Sequence, residues 1–269
     1  GTLEFSGNSN YDLLGNITTI NHLKLSGSGE RRFSNNNLTL NGNLIIDGDA
    51  NLKLENPFNK KVTIKGSLSR ISGSFSSGTG ANATIAFAGV LPQTITGAFV
   101  NSNSFNNLEI DNSHGVTIED AVEVDKEFIF INGRVNIASG GMLKIKYGGI
   151  ITPEEGNSQS FVNGELTREM MPGNSVIFPI GDGNTYGPIL LNNVGGPLGV
   201  NDWKATYKRE SASEIGYNTD DFDSAISAVS ETEYWEIGAP TGGTSVISIL
   251  LNGTSGIANS SDLNDLRVV

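Results

Sequence analysis

The stretch Asn218-Thr219-Asp220-Asp221-Phe222-Asp223 sets three carboxylates within four positions of a chain that carries 29 acidic and 17 basic residues. Hard cations take carboxylate and carbonyl oxygens, so Asp220, Asp221 and Asp223 are the candidate calcium ligands. Asp47 with Asp49 is a second, thinner pair. The spacing matches neither an EF-hand loop nor the Gly-Gly-x-Gly-x-Asp nonapeptide. The plain alternative is a solvated loop in which Asp221 or Asp223 caps a short helix over DDFDSAISAVS. Apart from calcium, no cofactor is expected.

Other chemistries find too few residues. There are two histidines, His22 and His114, and no cysteine, which leaves too few ligands for zinc and removes disulfides and a thiol nucleophile. No Gly-x-Ser-x-Gly elbow accompanies the histidines, each of which sits at a strand edge or turn. Gly181-Asp182-Gly183 looks like a phosphate loop, but no lysine or helix start follows, and a tight turn is expected. A net charge of −12 disfavours nucleic acid, whose phosphates need a concentrated basic face. No apolar run is long enough to form a membrane-spanning helix.

The elements that would position these groups are short strands. Glycine, with 34 residues, and asparagine together make about a quarter of the chain, a turn-rich composition. Alternating runs such as NLTL, KVTIKG, ATIAF, NLEI and EFIFING start near residues 16, 37, 61, 83, 107, 128 and 149, a period of about 22. Such a period marks a solenoid, because one coil of short strands cannot bury its apolar face without stacking on its neighbours. The expected inward stack is Leu38, Leu40, Val62, Ile64, Ile85, Phe87, Leu108, Ile110, Ile129 and Ile131. Antiparallel pairing is the alternative, disfavoured by the regular gaps and the scarcity of two-residue hairpin turns.

A slower repeat overlies the coils. TLEFSG (2 to 7) returns as TIAFAG (84 to 89), and NGNLIIDGDANLKL (41 to 54) as NGRVNIASGGMLKI (132 to 145), which predicts that these strands occupy equivalent coils. After about residue 150 the period fades, both tryptophans (Trp203, Trp235) appear, and strands become longer with varied loops. The expected fold is therefore all-β. It consists of a right-handed parallel β-helix over residues 1–165, in coils of about 22, followed by an antiparallel β-sandwich over 166–269.

The ordered motifs FNNLEIDNSHGVTIEDAVEV, SFVNGELTRE, VIFPIGDGNTYGPILL and EYWEI resemble the large surface proteins of Bacteroidetes exported by type IX secretion, including adhesins tied to gliding. The likeness covers residues 84 to 269, with the earlier coils matching more loosely. It implies an extracellular, cell-surface, repeat-built module, non-catalytic, adhesive or structural, that contacts surface glycans or other extracellular polymers. The family's signal peptide and sorting domain are missing here, so the chain is expected to be a piece of a larger polypeptide. Asp223-Ser224-Ala225 matches the acceptor pattern that Bacteroidetes use for O-glycans, which makes Ser224 a candidate glycosylation site. The rival reading is a β-helix polysaccharide hydrolase or lyase. NTDDFD resembles the Asn-Thr-Asp-Gly-x-Asp strand of polygalacturonases, and SHGVTI faintly resembles their Gly-His-Gly segment. Here, however, the His element precedes the Asp element, no Arg-Ile-Lys follows, and NTDDFD lies outside the repeat region where a groove would run.

Overall fold

The structure, a computed structural model, describes residues 1–13, 17–33, 37–54, 60–77, 83–219 and 230–250. It is all-β: among the described residues the one helical segment is a 3-10 turn at Asn101–Asn103. The chain divides into two compact units, Gly1–Ser160 and Phe161–Val269.

The first unit is a β-solenoid of stacked parallel coils. One parallel sheet takes Thr2–Phe5, His22–Leu25, Leu44–Ile46, Leu68–Arg70, Gln93–Thr96, Val116–Ile118 and Val135–Ile137 in order. A second takes Tyr11–Leu13, Ser28–Phe33, Asp49–Lys53 and Ser74–Ser76. The third begins at Thr19–Ile20 and passes through Leu38–Leu40, Lys61–Ile64, Thr84–Phe87 and Phe105–Asp111 to the long strand Ala121–Asn132. That long strand pairs with Met142–Ile145 along its first half and Ile150–Thr152 along its second. The strand starts expected at 37, 61, 83, 107, 128 and 149 all fall on this third sheet.

Each coil is short of apolar surface by itself, and register supplies the rest. Leu38, Val62, Ile85, Leu108 and Phe128 are successive partners, as are Leu40, Ile64, Phe87, Ile110 and Phe130. All ten are buried. The first sheet aligns Leu3, Leu23, Leu44, Leu68, Ile95, Ile118 and Ile137 as successive partners, with the five central ones buried, Leu3 exposed and Ile137 half-buried. Like side chains thus meet at the inter-strand spacing of about 4.8 Å.

The end of the inward stack differs from the sequence expectation. Phe128 and Phe130 point inward, whereas Ile131 is 59% exposed and Ile129 is half-buried. In Phe128-Ile129-Phe130-Ile131 every residue is apolar, so alternation carries no contrast and the phase cannot be read. A register shift between Phe105 and Asn107 against Val124 and Glu127 sets the phase instead, and a one-residue slip exchanges the two faces. The slow repeat also fails at its first pair. Thr2–Phe5 lies on the first sheet and Thr84–Phe87 on the third, because a Thr-x-x-Phe strand suits either face.

Corners are set by backbone. Gly27, Gly48 and Gly73 hold the turn between the first and second sheets in consecutive coils, with φ of 75°, 62° and 69°, a conformation that disfavours side chains. A Cβ on Gly48 would lie 2.7 Å from the Gly27 carbonyl oxygen. Where the second sheet ends, Phe75, Phe99 and Phe105 fill the corner, with ring centroids 4.9 to 5.6 Å apart.

The second unit pairs mostly antiparallel. Asn201–Lys208 lies between Leu166–Met170 and Tyr234–Gly238, and Ile189–Gly195 lies between Val176–Phe178 and Thr244–Ile249. Ile180–Asp182 runs parallel to Val162–Asn163 and turns back onto Thr185–Tyr186. Gly181-Asp182-Gly183 is thus part of a tight hairpin, with Gly183 at φ 56°.

Candidate functional site

Asp220, Asp221, Asp223 and Ser224 lie outside the described residues, as does most of the expected helix. Asp47 is already engaged: its Oδ1 accepts from the Gly48 N–H at 2.8 Å and its Oδ2 faces Lys24 Nζ at 3.5 Å. Asp49 is exposed. Among the described residues no cluster of three His, Asp or Glu side chains could hold a metal.

The two histidines are not brought together. His22 belongs to the second coil, where its Nδ1 accepts the Asn43 N–H at 3.0 Å. His114 lies in the turn before Val116–Ile118, its N–H donating to Asn112 Oδ1 at 2.9 Å.

The solenoid's carboxylates bind one coil to the next. Glu4 accepts from Ser26 Oγ at 2.7 Å and faces Lys24 Nζ at 3.4 Å. The hydrogen bond from Ser26, then the nearby Lys24 charge, lower the Glu4 pKa. Glu30 pairs with Lys53 and Arg32, and hydrogen bonds from those two cations lower its pKa, Lys53 first. Glu109 pairs with Lys61 and Glu119 accepts from Thr96. Asp120 accepts from the Gly97 N–H, Glu123 from the Asn101 N–H, Asp125 from Ser104 Oγ and Glu127 from Thr152 Oγ1. Glu123 and Asp125 share Lys146 at 3.9 and 3.8 Å. Most of these contacts join residues roughly one coil apart, and the pair of Lys61 with Glu109 spans two coils, so they reinforce the ladder.

The interior holds polar groups that the sequence does not mark as buried. Arg31 is fully buried, in the column between Tyr11 and Leu52. Its guanidinium donates to the carbonyls of Ser9, Gly7 and Ser26 at 2.6, 2.6 and 3.1 Å and lies 5.0 Å over the Tyr11 ring. Gln93 Oε1 accepts from the Gly89 N–H and Asn112 Nδ2, while its Nε2 donates to the carbonyls of Ile64 and Gly66.

The second unit gathers aromatic rings and carboxylates in a way the sequence did not reveal. On Tyr234–Gly238, Trp235 turns to one face, packs on Tyr207 with centroids 5.0 Å apart, and donates its Nε1–H to the Gly187 carbonyl at 2.9 Å. Alternation puts Tyr234 and Glu236 on the opposite face, beside their strand partners Lys208 and Thr206. Tyr217 returns to that face from the turn closed by the Tyr217 N–H to the Ala212 carbonyl, and its ring meets Tyr234 edge-on at 5.8 Å and 69°. Tyr217 donates to Glu236 Oε1 at 2.6 Å and Tyr234 to Glu210 Oε1 at 3.1 Å. The bond to Glu236 raises the Tyr217 pKa, and burial followed by the bond to Glu210 raises that of Tyr234. Close by in sequence, Ser211 and Ser213 donate to Glu231 and lower its pKa. The signal available in the sequence was tyrosine interleaved with glutamate in Glu233-Tyr234-Trp235-Glu236, but the partners Glu210 and Tyr217 are fixed by the turn.

No known family matches the chain, and neither a curated protein nor a solved structure matches it. No helix among the described residues is long and apolar enough to cross a membrane.

Proposed function

We propose that this chain is a non-catalytic adhesive or structural module of a large bacterial cell-surface protein, acting outside the cell on surface glycans or other extracellular polymers. The observation that carries this reading is the use made of the solenoid's carboxylates. Those just described are bonded to a cation, a hydroxyl or a backbone N–H, most of them one coil away, and serve as rungs. Stacked coils repeat an outward position at about 4.8 Å, a spacing suited to long, repetitive ligands. The motif resemblance to type IX secreted, gliding-associated proteins of Bacteroidetes supports the location.

In this reading the solenoid is right-handed, as parallel crossovers almost always are, and the second unit is a β-sandwich. Its two antiparallel three-stranded groups and the Trp235 bond to Gly187 support that architecture. A glycan array run beside a reducing-end assay on polygalacturonate tests the function. Retention of a glycan with no new reducing ends is the expected result; release of reducing ends would establish the β-helix hydrolase or lyase instead.

A further inference from the structure

Around the corner between Tyr217 and Tyr234, the described groups are unusual in kind. Two phenol rings meet at 69°, Tyr217 is 51% exposed, and both hydroxyls are tied to carboxylates. Those bonds fix the ring planes and leave each carboxylate further lone pairs for a donor. The surroundings therefore offer ring faces, hydrogen-bond acceptors and negative charge. Lys208, the strand partner of Tyr234, makes no ion pair with these glutamates.

We propose that this corner binds a protonated amino sugar, with the pyranose ring against a tyrosine face and its ammonium group toward Glu236 or Glu210. An anionic ligand would meet the two glutamates, and a neutral sugar would leave their charge unused. The ring quadrupole and the carboxylates both attract a cation. A ring-shaped ligand also gains contact area on an open corner, where a lysine ammonium would remain hydrated. This goes beyond the adhesive reading by naming a ligand and a place for it, and it stands on residues of the second unit alone.

The test is calorimetric titration of the whole chain with a glucosamine tetramer at mildly acid pH, with the fully N-acetylated tetramer and a lysine tetramer as comparisons. Binding of the glucosamine tetramer is expected to be at least about tenfold tighter than that of the acetylated one, and to weaken about tenfold in Tyr217→Leu. Glu236→Gln, which preserves shape, is expected to weaken it as well. Tyr217→Leu leaves the net charge unchanged, so undiminished binding there would reveal diffuse attraction to an acidic chain and overturn the proposal. Equal binding of the acetylated tetramer would overturn it, as would a lysine tetramer that binds as tightly and depends equally on Tyr217. Unaltered circular dichroism of both variants establishes that they are folded. Glucosamine-tetramer binding that survives Tyr217→Leu, beside retention of glycans on the array, would sink this site and leave the adhesive reading standing, whereas new reducing ends would sink only the latter.

Discussion

Phe128 and Ile129 are neighbours with opposite fates, and replacing each by alanine separates the observed register from the one that alternation suggests. Phe128 is fully buried, stacked between Leu108 and Ile151, with its ring 4.7 Å from that of Phe130. A buried phenylalanine removes about 150–250 Å² from water, which at ~25 cal/mol per Å² corresponds to ~4–6 kcal/mol against alanine-free bookkeeping. That figure uses an extended unfolded chain and is an upper bound. Phe→Ala changes in cores cost about 3–5 kcal/mol, so about 4 kcal/mol is expected here. Ile129 faces outward and is only half-buried; its truncation should cost about 1 kcal/mol.

Urea unfolding followed by far-UV circular dichroism measures the difference, as a shift in midpoint at similar slope. Tryptophan fluorescence is the wrong probe, since Trp203 and Trp235 both lie in the second unit. If Ile129→Ala costs as much as Phe128→Ala, or more, the strand is one residue out of phase and the stacking argument fails at this coil.

Gly48→Ala should lose about 1–3 kcal/mol, because φ is 62° and the new Cβ meets the Gly27 carbonyl; an unchanged urea midpoint would contradict that turn. Gln93→Leu leaves the Gly89 N–H without its partner and removes the donor to the Ile64 and Gly66 carbonyls, at a cost of about 2–4 kcal/mol in the same assay. In alkaline spectrophotometric titration, Tyr207, Tyr217 and Tyr234 should ionise later than ordinary tyrosines, the first chiefly because it is buried and bonded to Glu233. Their raised values contribute stability that is whole below about pH 10 and lost as pH climbs through the folded values; all six tyrosines ionising together near pH 10 would refute this. Glu30 works in the other direction. Its lowered value adds stability above about pH 4.3 that disappears as pH falls through the folded value, so Glu30→Gln should flatten the acid limb of the stability curve.

The solenoid was legible where the physics has a period. Leu38-x-Leu40, Val62-x-Ile64, Ile85-x-Phe87 and Leu108-x-Ile110 recur at the coil period, and they align in the structure as the spacing predicts. Legibility failed where a residue type carries two meanings. Phe-Ile-Phe-Ile has no polar member to mark the outside. Arg31 carries a charge that gives no sign of burial, yet it is fully buried and carbonyls accept its donors. Gln93 and Asn112 are polar in type but buried, and Asn112 Nδ2 donates to Gln93 Oε1. The tyrosine corner was hidden for a different reason: Glu210, Tyr217, Tyr234 and Glu236 come together only through a strand pairing and a turn, and neither leaves a spacing in the sequence.

The two units use their acid in different ways, and that difference ties fold to function. Parallel stacking places side chains of successive coils about 4.8 Å apart, so a carboxylate on one rung readily finds a lysine, threonine or backbone N–H on the next. Glu30 with Lys53 and Glu119 with Thr96 are examples. Some of the solenoid's carboxylates are paired in this way to cations, as Glu30 is to Lys53, and others, such as Glu119, Asp120 and Glu127, accept from hydroxyls or backbone N–H groups of a neighbouring coil. In the second unit the strands pair antiparallel and the turn carrying Tyr217 brings phenols to the glutamates instead of cations. A phenol satisfies one lone pair without cancelling charge. Negative charge is thereby held beside the exposed ring of Tyr217, which is what the proposed amino-sugar site uses.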